Sequence, residues 1–132
     1  MNIGAAARKV GLPIKTVRYY ADIGLVEPQG RSRSGYRQYT DTELRKLVFV
    51  RRARAFGFSV DDTRGLLGLY EDRNRSSADV KAIATQRLED LQSKMRELQA
   101  LHDELHLLVT ACQGDDRPDC PIIDGFVEDP VD

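Results

Sequence analysis

The chain has 132 residues, a formal net charge of −1 and an apolar content of 41%, which is ordinary for a folded globular protein. No apolar run is long enough to span a membrane, and the N-terminus lacks the basic and apolar regions of a secretory signal. These features exclude a membrane protein and predict a cytoplasmic one. In that compartment its two cysteines are expected to serve metal or redox chemistry rather than a structural disulfide.

Charge is distributed unevenly along the chain. Residues 1–58 carry 12 lysines and arginines against four acids, whereas residues 59–132 carry eight against 17. A basic half followed by an acidic half favours a polyanion as the partner of the first half. A solvated basic face would have the same composition, so charge by itself leaves both interpretations open.

Two short helices are predicted at the start of the chain, over residues 3–10 and 14–21. Gly11 can close the first helix and Pro13 can lie in the first turn of the second, so a tight turn joins them. This pattern is typical of a helix-turn-helix, whose second helix enters the major groove of DNA. A plain helical hairpin with exposed basic residues remains the alternative. The face predicted to pack inward comprises Ile14, Val17 and Ala21. The residues predicted to bind DNA are Lys15, Thr16, Arg18 and Tyr19.

A small hairpin with its turn at Ser34-Gly35 is predicted next, and it resembles a wing. Arginines would contact phosphates there, and a tyrosine would add hydroxyl or stacking contacts. The side chains predicted to bind DNA from the wing are Arg31, Arg33, Tyr36 and Arg37. Thr40 and Glu43 then form a capping box that opens a third helix, and Ser59 caps a fourth.

A long helix is predicted from Ser76 or Ser77 to about Ala111, because neither proline nor glycine interrupts that stretch. Its apolar residues recur at alternating steps of four and three, which is a coiled-coil heptad. Roughly 34 residues correspond to about 50 Å of helix, too long to bury its stripe against the short helices before it. The predicted partner is therefore the same helix of a second chain, and the predicted assembly is a homodimer with two recognition helices. The stripe comprises Ala84, Leu88, Leu91, Met95, Leu98, His102, Leu105 and Val109.

About seventy N-terminal residues resemble the winged helix-turn-helix of the MerR family of bacterial transcription regulators. The matching features are RYY at 18–20, IGL at 23–25, GYR at 35–37, Tyr39 and GFS at 57–59. Their order and spacing carry the resemblance, which implies a mainly α-helical chain with an antiparallel dimerisation coiled coil. The domains expected from it are a DNA-binding region with connecting helices over 1–75, a dimerisation helix over 76–111 and a metal-binding loop with the tail over 112–132.

Cys112 and Cys120 enclose a short loop after the long helix, and their own chemistry leaves several interpretations. A disulfide is sterically possible, but a reducing compartment opposes it. A redox sensor would need a lowered thiol pKa, which three loop acids against one base do not favour. Structural zinc needs four ligands, whereas two soft thiolates suit a soft monovalent ion such as Cu(I). Ag(I) and Au(I) share that charge and softness.

The stretch from Ala111 to Ile123, ACQGDDRPDCPII, resembles the metal-binding loop of the copper-efflux regulators in the MerR family, the CueR and HmrR type. The resemblance implies that Cys112 and Cys120 bind Cu(I). It also implies that Ser77 stands where relatives that sense divalent metals have a third cysteine, beside the metal site of the partner chain.

The expected function is therefore Cu(I)-dependent activation of copper efflux or detoxification promoters. The dimer would bind double-stranded promoter DNA with or without metal, and metal would distort the DNA so that RNA polymerase can use the promoter. The alternatives are a thiol-redox regulator with a Cys112–Cys120 disulfide, and a dimeric copper buffer or chaperone. An enzyme is not expected, because the chain has no nucleophile–base pairing and no phosphate-cradling glycine motif.

Overall fold

The computed structural model describes residues 1–31 and 37–127, with the side chains of Arg31 and Arg37 excepted. Within these residues the protein is mainly α-helical, with one short antiparallel pair of strands, as the sequence predicts. The elements in chain order are α1 (Ile3–Val10), α2 (Ile14–Asp22), β1 (Gly30–Arg31), β2 (Arg37–Gln38), α3 (Asp41–Ala55), α4 (Val60–Glu71), α5 (Ser77–Ala111) and α6 (Pro121–Val127). They form two compact units, Met1–Arg87 and Leu88–Asp132. No helix in the described part of the chain is long and apolar enough to cross a membrane.

The first unit is built around one apolar core. Helix α1 packs against α2 and α3, and α3 packs against α4. The first residue of the chain is part of this arrangement, because the Met1 ammonium donates to Tyr39 O at 2.8 Å and Tyr39 N donates to Met1 O at 2.7 Å. The fully buried apolar side chains include Val10, Val17, Val26, Tyr39, Leu47 and Val50.

The turn between α1 and α2 has the predicted glycine cap. Gly11 ends α1 with a φ of 73°, a left-handed conformation that favours glycine. Pro13 is the N-cap residue of α2 rather than a member of its first turn. Of the three residues predicted to face inward, Val17 is buried, but Ile14 is 42% exposed. The prediction that Ile14 packs fully inward was wrong, because the residue is the first of α2 and its side chain is only partly covered.

The strands place the predicted wing directly after α2. Gly30 pairs with Gln38 and Arg31 with Arg37, and Gln29 N donates to Gln38 O at 3.1 Å. The predicted tip of the hairpin, with Arg33 and Tyr36, lies outside the described residues.

Arginines from later helices bind the carbonyl ends of the first two. Arg51 of α3 donates to Val10 O at the end of α1. Arg64 of α4 donates to Ile23 O at 2.9 Å and to Gly24 O at 3.2 Å, just beyond the end of α2. The last carbonyls of a helix lack internal partners and carry partial negative charge, so a guanidinium stabilises them. Both helices of the helix-turn-helix are thereby attached to the rest of their unit.

Helix caps follow the sequence prediction closely. Ser59 Oγ accepts from Asp62 N at 3.0 Å at the start of α4. At the start of α5 it is Ser76 whose Oγ accepts, from Ala78 N at 3.1 Å, whereas Ser77 is the first helical residue.

Thr40 and Glu43 form the predicted capping box of α3. Glu43 Oε2 accepts from Thr40 N at 2.8 Å and also from the Thr40 hydroxyl, and the Glu43 side chain is buried. Burial raises the pKa of Glu43, but the two hydrogen bonds from Thr40, with the nearby Lys46 ammonium, outweigh it and leave the pKa below its ordinary value. The ionised carboxylate is therefore the stabilising form.

Replacing this carboxylate tests the capping box. Because the folded pKa of Glu43 is lowered, its ionised form stabilises the protein above the unfolded pKa of about 4.3, and this contribution is lost as pH falls through the folded pKa. We expect Glu43→Gln to lower the free energy of unfolding by about 1 kcal/mol at pH 7, with the difference narrowing below about pH 4. Urea denaturation from pH 7 to pH 3 measures this, with the exposed Glu97→Gln as control. A Glu43→Gln deficit that stays constant over that range would contradict the assignment.

Candidate functional site

The exposed face of α2 carries the residues predicted to bind DNA. Lys15, Arg18 and Tyr19 are exposed, and Thr16 is half-buried. The adjacent tyrosine is different: Tyr20 is 6% exposed and belongs to the core, whereas Tyr19 is 50% exposed. Their ring centroids lie 5.9 Å apart, so the buried ring supports the exposed one. The structure thus gathers two cations, a phenol and a hydroxyl on the helix that precedes the strands.

The structure describes only part of the predicted wing. The backbones of Arg31 and Arg37 face each other in the strand pair, which brings their positions close together. Arg33 and Tyr36 lie outside the described residues.

The predicted stripe of α5 is exposed in the single chain. The helix is continuous over 35 residues and has no buried residue. Leu88, Met95, Leu98, Leu105 and Val109 are about half exposed or more, and Leu91 is half-buried. An apolar stripe of this length on a monomer is typical of an interaction surface.

His102, the one polar member of the stripe, is paired along its own helix. Its Nδ1 lies 3.1 Å from Asp103 Oδ1, and its ring stacks on His106 with centroids 6.0 Å apart. The hydrogen bond with His102, followed by one from Gln99, lowers the pKa of Asp103. These contacts are all local to α5. None of them connects His102 or His106 to the cysteine loop.

The two cysteines stand at the ends of the loop that joins α5 to α6. Cys112 directly follows the last residue of α5, and its N–H donates to Val109 O at 3.2 Å. Cys120 directly precedes α6, and its carbonyl accepts from Asp124 N at 3.0 Å. Both thiols are free and half-buried. Each is therefore attached to the end of a helix, which limits how far it can move.

Within the loop, one arginine neutralises one of the acids. Arg117 donates to Asp115 Oδ2 from Nη2 at 2.7 Å and from Nε at 2.9 Å, and its N–H donates to Oδ1 at 3.0 Å. These bonds lower the pKa of Asp115. Gly114 has a φ of 67°, which a side chain would strain. Asp115 is engaged within the loop and is therefore less available to a metal ion than a free carboxylate.

The donor set fits a soft ion of low coordination number. Among the described residues, no group of three or more His, Cys, Asp or Glu side chains is placed to hold a metal ion. Cys112 and Cys120 supply two sulfurs, and no third donor joins them among the described residues of this chain, whereas tetrahedral zinc takes four ligands. Two thiolates do suit a monovalent soft cation.

Several arginines have roles that the sequence did not reveal. Arg51, Arg64 and Arg87 contribute to the basic charge, yet each donates to a main-chain carbonyl of its own unit. The partners lie 41 residues away for Arg51 and Arg64 and 31 residues away for Arg87, so no local pattern could have shown them. Of these three, only Arg51 lies in the basic half of the chain, so part of the positive charge of that half serves folding.

Comparison with known proteins gives the family. Residues 1–69 match the MerR HTH family regulatory protein domain, and residues 44–108 match the MerR DNA-binding domain. The HTH-type transcriptional regulator HmrR of Rhizobium leguminosarum bv. viciae is 53% identical over 94% of this chain and 95% of its own length. The HTH-type transcriptional regulator CueR of Salmonella typhimurium is 43% identical over 96% of this chain and 91% of its own length.

Solved structures agree with this relationship. The transcription regulator PbrR691 of Ralstonia metallidurans CH34, in complex with lead(II), is similar with a TM-score of 0.81, 32% identity and coverage of 96% of this chain and 98% of that one. The MerR regulator of Bacillus megaterium MB1, in complex with mercury(II), has a TM-score of 0.74, 27% identity and coverage of 97% and 100%. These relatives are regulators rather than enzymes, as the sequence predicts. The chain belongs to the MerR family of DNA-binding transcription regulators.

Proposed function

We propose that this protein is a homodimeric, Cu(I)-responsive activator of promoters for copper efflux or detoxification genes. The observation that carries the proposal is the pair of free, half-buried cysteines, each fixed to a helix end, with no third thiol or imidazole beside them in the described residues. The named relatives HmrR and CueR, and a heavy metal-dependent transcription regulator of Rhizobium meliloti that is 48% identical, support a metal signal. We assign residues 1–75 to DNA binding, 76–111 to dimerisation and 112–132 to the metal loop and tail.

The donor set decides the metal in this proposal. The solved relatives hold lead(II) and mercury(II), so the fold by itself is compatible with several ions. Two thiolates and one monovalent cation leave a single negative charge, whereas a divalent cation would favour a further anionic ligand. Cys112 and Cys120 therefore hold Cu(I), and Ag(I) and Au(I) are its chemical equivalents.

Ser77 contributes by lacking a thiol. It is the exposed first residue of α5, and Cys112 follows the last residue of the same helix. In an antiparallel dimer the start of one α5 lies beside the end of the other, so Ser77 of one chain adjoins the loop of the second. A hydroxyl at that place withholds the third thiolate that a divalent ion would prefer.

The metal acts by favouring one of two shapes of the DNA-bound dimer. A ligand shifts such an equilibrium only by its difference in affinity for the two states. Cys112 and Cys120 would hold Cu(I) between them, which would connect the end of α5 to the start of α6. The favoured shape distorts the promoter so that RNA polymerase can use a long spacer.

The thiols are the first test. We expect Cys112→Ser and Cys120→Ser to bind the operator as the unaltered protein does and to lose the transcriptional response to Cu(I), because one thiolate cannot hold the ion in a two-coordinate site. Metal affinity is measured by an anaerobic Cu(I) titration against a competing chelator, with a parallel Zn(II) titration. Operator binding is measured by gel shift, and the response to Cu(I) by transcription in vitro. Ser77→Cys is the matched variant and is expected to gain a divalent-metal response. A Cys120→Ser protein that still responds to Cu(I) would contradict the proposal.

A thiol-redox regulator is the second candidate, because the same two free cysteines bracket a short loop. Weak Cu(I) binding together with a pair that oxidises readily and changes transcription would favour it. The copper-buffer alternative loses its support, since the chain belongs to a family of transcription regulators.

The proposed DNA contacts are Lys15, Thr16, Arg18 and Tyr19 on α2, with Arg31, Arg33, Tyr36 and Arg37 in the wing. We expect Arg18→Ala to weaken operator binding about tenfold and to lower the slope of affinity against salt by about one, because a phosphate contact releases counterions. Fluorescence anisotropy at several salt concentrations measures both, and the Cu(I) affinity stays constant. The exposed Arg96→Ala, on α5, is the control. Unchanged operator affinity in Arg18→Ala would remove this residue from the contact set.

The proposed dimer interface is the exposed stripe of α5. It comprises Leu88, Leu91, Met95, Leu98, His102, Leu105 and Val109. We expect Leu98→Glu to weaken dimerisation more than about 100-fold, because it buries an unpaired charge in the interface. Leu98 is 66% exposed in the single chain, and Leu107, on the opposite face of α5, is 71% exposed, so Leu107→Glu is a control of equal exposure. Sedimentation velocity over a concentration series distinguishes them. A dimer broken by Leu107→Glu and not by Leu98→Glu would place the interface on the other face.

A further inference from the structure

Arg87, in the N-terminal third of α5, is attached to the turn between α3 and α4. Its Nε donates to Phe56 O at 2.9 Å, and Phe56 is the C-cap residue of α3. The guanidinium thus lies at the end of α3 where carbonyls lack internal partners and where a cation is favoured. This contact links residues that lie 31 positions apart, within one compact unit.

The turn has no side chain where the guanidinium lies. Gly57 has a φ of 84°, and a Cβ at this position would come 2.8 Å from Arg87 Cζ and would overlap Nη2. The left-handed backbone favours glycine at position 57, and a side chain there would also displace the Arg87 guanidinium. Arg54 Nη1 also donates to Phe58 O at 2.6 Å, so the turn is held from α3 as well as from α5.

The compact unit that contains the DNA-binding helices ends at Arg87 and not at the start of α5. Helix α5 runs from Ser77 to Ala111 without interruption, so residues 77–87 belong both to the long helix and to this unit. The chain joins α4 to α5 through the segment 72–76, which is one attachment. Arg87 supplies a second attachment about 15 Å further along the helix. A single attachment leaves a helix free to pivot, whereas a second attachment further along restricts the pivoting of residues 77–87.

We propose that Arg87 is the positioning residue that makes α5 a rigid carrier of the DNA-binding helices, and that this rigidity sets the spacing of the two recognition helices and transmits the metal signal. The claim that Arg87 sets the spacing of the recognition helices rests on family membership and on the exposed stripe of α5. The claim that Arg87 transmits the metal signal rests on the proposed Cu(I) function. Coupling between two sites requires a connection whose arrangement both sites bias. A loosened attachment would absorb a change at the cysteine loop before it reached α2.

The chain offers a matched control. Lys94 is exposed and lies seven residues after Arg87, so it occupies the same heptad position on α5. Arg87→Ala removes the attachment, Arg87→Lys keeps the charge without the planar donor group, and Lys94→Ala removes a cation from the same face.

The first experiment does not depend on copper. It measures the affinity of the dimer for an operator obtained by selection in vitro, and for the same operator with its half-site spacing changed by one base pair. The spacing preference is the ratio of the affinities for the two operators. We expect this ratio to be at least about fivefold smaller in Arg87→Ala than in the unaltered dimer, to be reduced less in Arg87→Lys, and to be unchanged in Lys94→Ala. Hydrogen exchange of the amides of residues 56–58 is expected to rise in Arg87→Ala, which confirms that the turn has been released. An unaltered spacing preference in Arg87→Ala, with a released turn or without one, would overturn the proposal.

The second experiment adds Cu(I) and measures the ratio of induced to basal transcription beside Cu(I) affinity. We expect Arg87→Ala to keep the Cu(I) affinity within about threefold and to lower the induction ratio at least about fivefold. Full induction in Arg87→Ala would overturn the transmission part of the proposal. If the unaltered protein does not respond to Cu(I), the proposed function fails, and the spacing experiment still decides the positioning role of Arg87.

Discussion

Contacts between guanidinium groups and helix-terminal carbonyls hold the DNA-binding unit in its shape. Arg51 binds the end of α1, Arg64 the segment after α2, and Arg87 the end of α3. Short helices bury little apolar surface each, and their last carbonyls have no partner inside the helix. A cation at each end removes that deficit and connects elements that are distant in the sequence. The apolar core brings the helices together, and these arginines determine how their ends are arranged.

These contacts change how the positive charge of residues 1–58 should be interpreted. A simple count of lysines and arginines over residues 1–58 predicts a polyanion partner, and membership of a DNA-binding family agrees with it. The structure divides the cations into those that fold the unit, such as Arg51 and Arg54, and those that remain exposed on α2, such as Lys15 and Arg18. The exposed cations Lys15 and Arg18 lie on α2, the helix proposed to enter the groove, where they can attract DNA.

In the cysteine loop, too, an arginine engages a group of its own chain. Its acids would oppose thiolate formation if they were all free, but Asp115 is engaged by Arg117. The backbone of each cysteine is hydrogen-bonded to the helix beside it, so an ion bound to both thiols would connect α5 to α6. In the proposed function, ligation at this loop would alter the connection between α5 and α6, and residues 77–87 of α5 belong to the DNA-binding unit.

Local chemistry allowed the sequence by itself to predict the helices, their caps and the family. Gly11, the Thr40–Glu43 box, Ser59 and the heptad of α5 are signals confined to a few residues, and the structure shows the elements that they predict. The spacing of Cys112 and Cys120 likewise suggested a site before any geometry was known. Only the tertiary structure decided that Ile14 is 42% exposed, that Tyr20 is core while Tyr19 is not, and that Arg64 and Arg87 bind main-chain carbonyls. These outcomes depend on which surfaces meet across some 30 to 40 residues of chain, and short-range periodicity carries no information about such contacts.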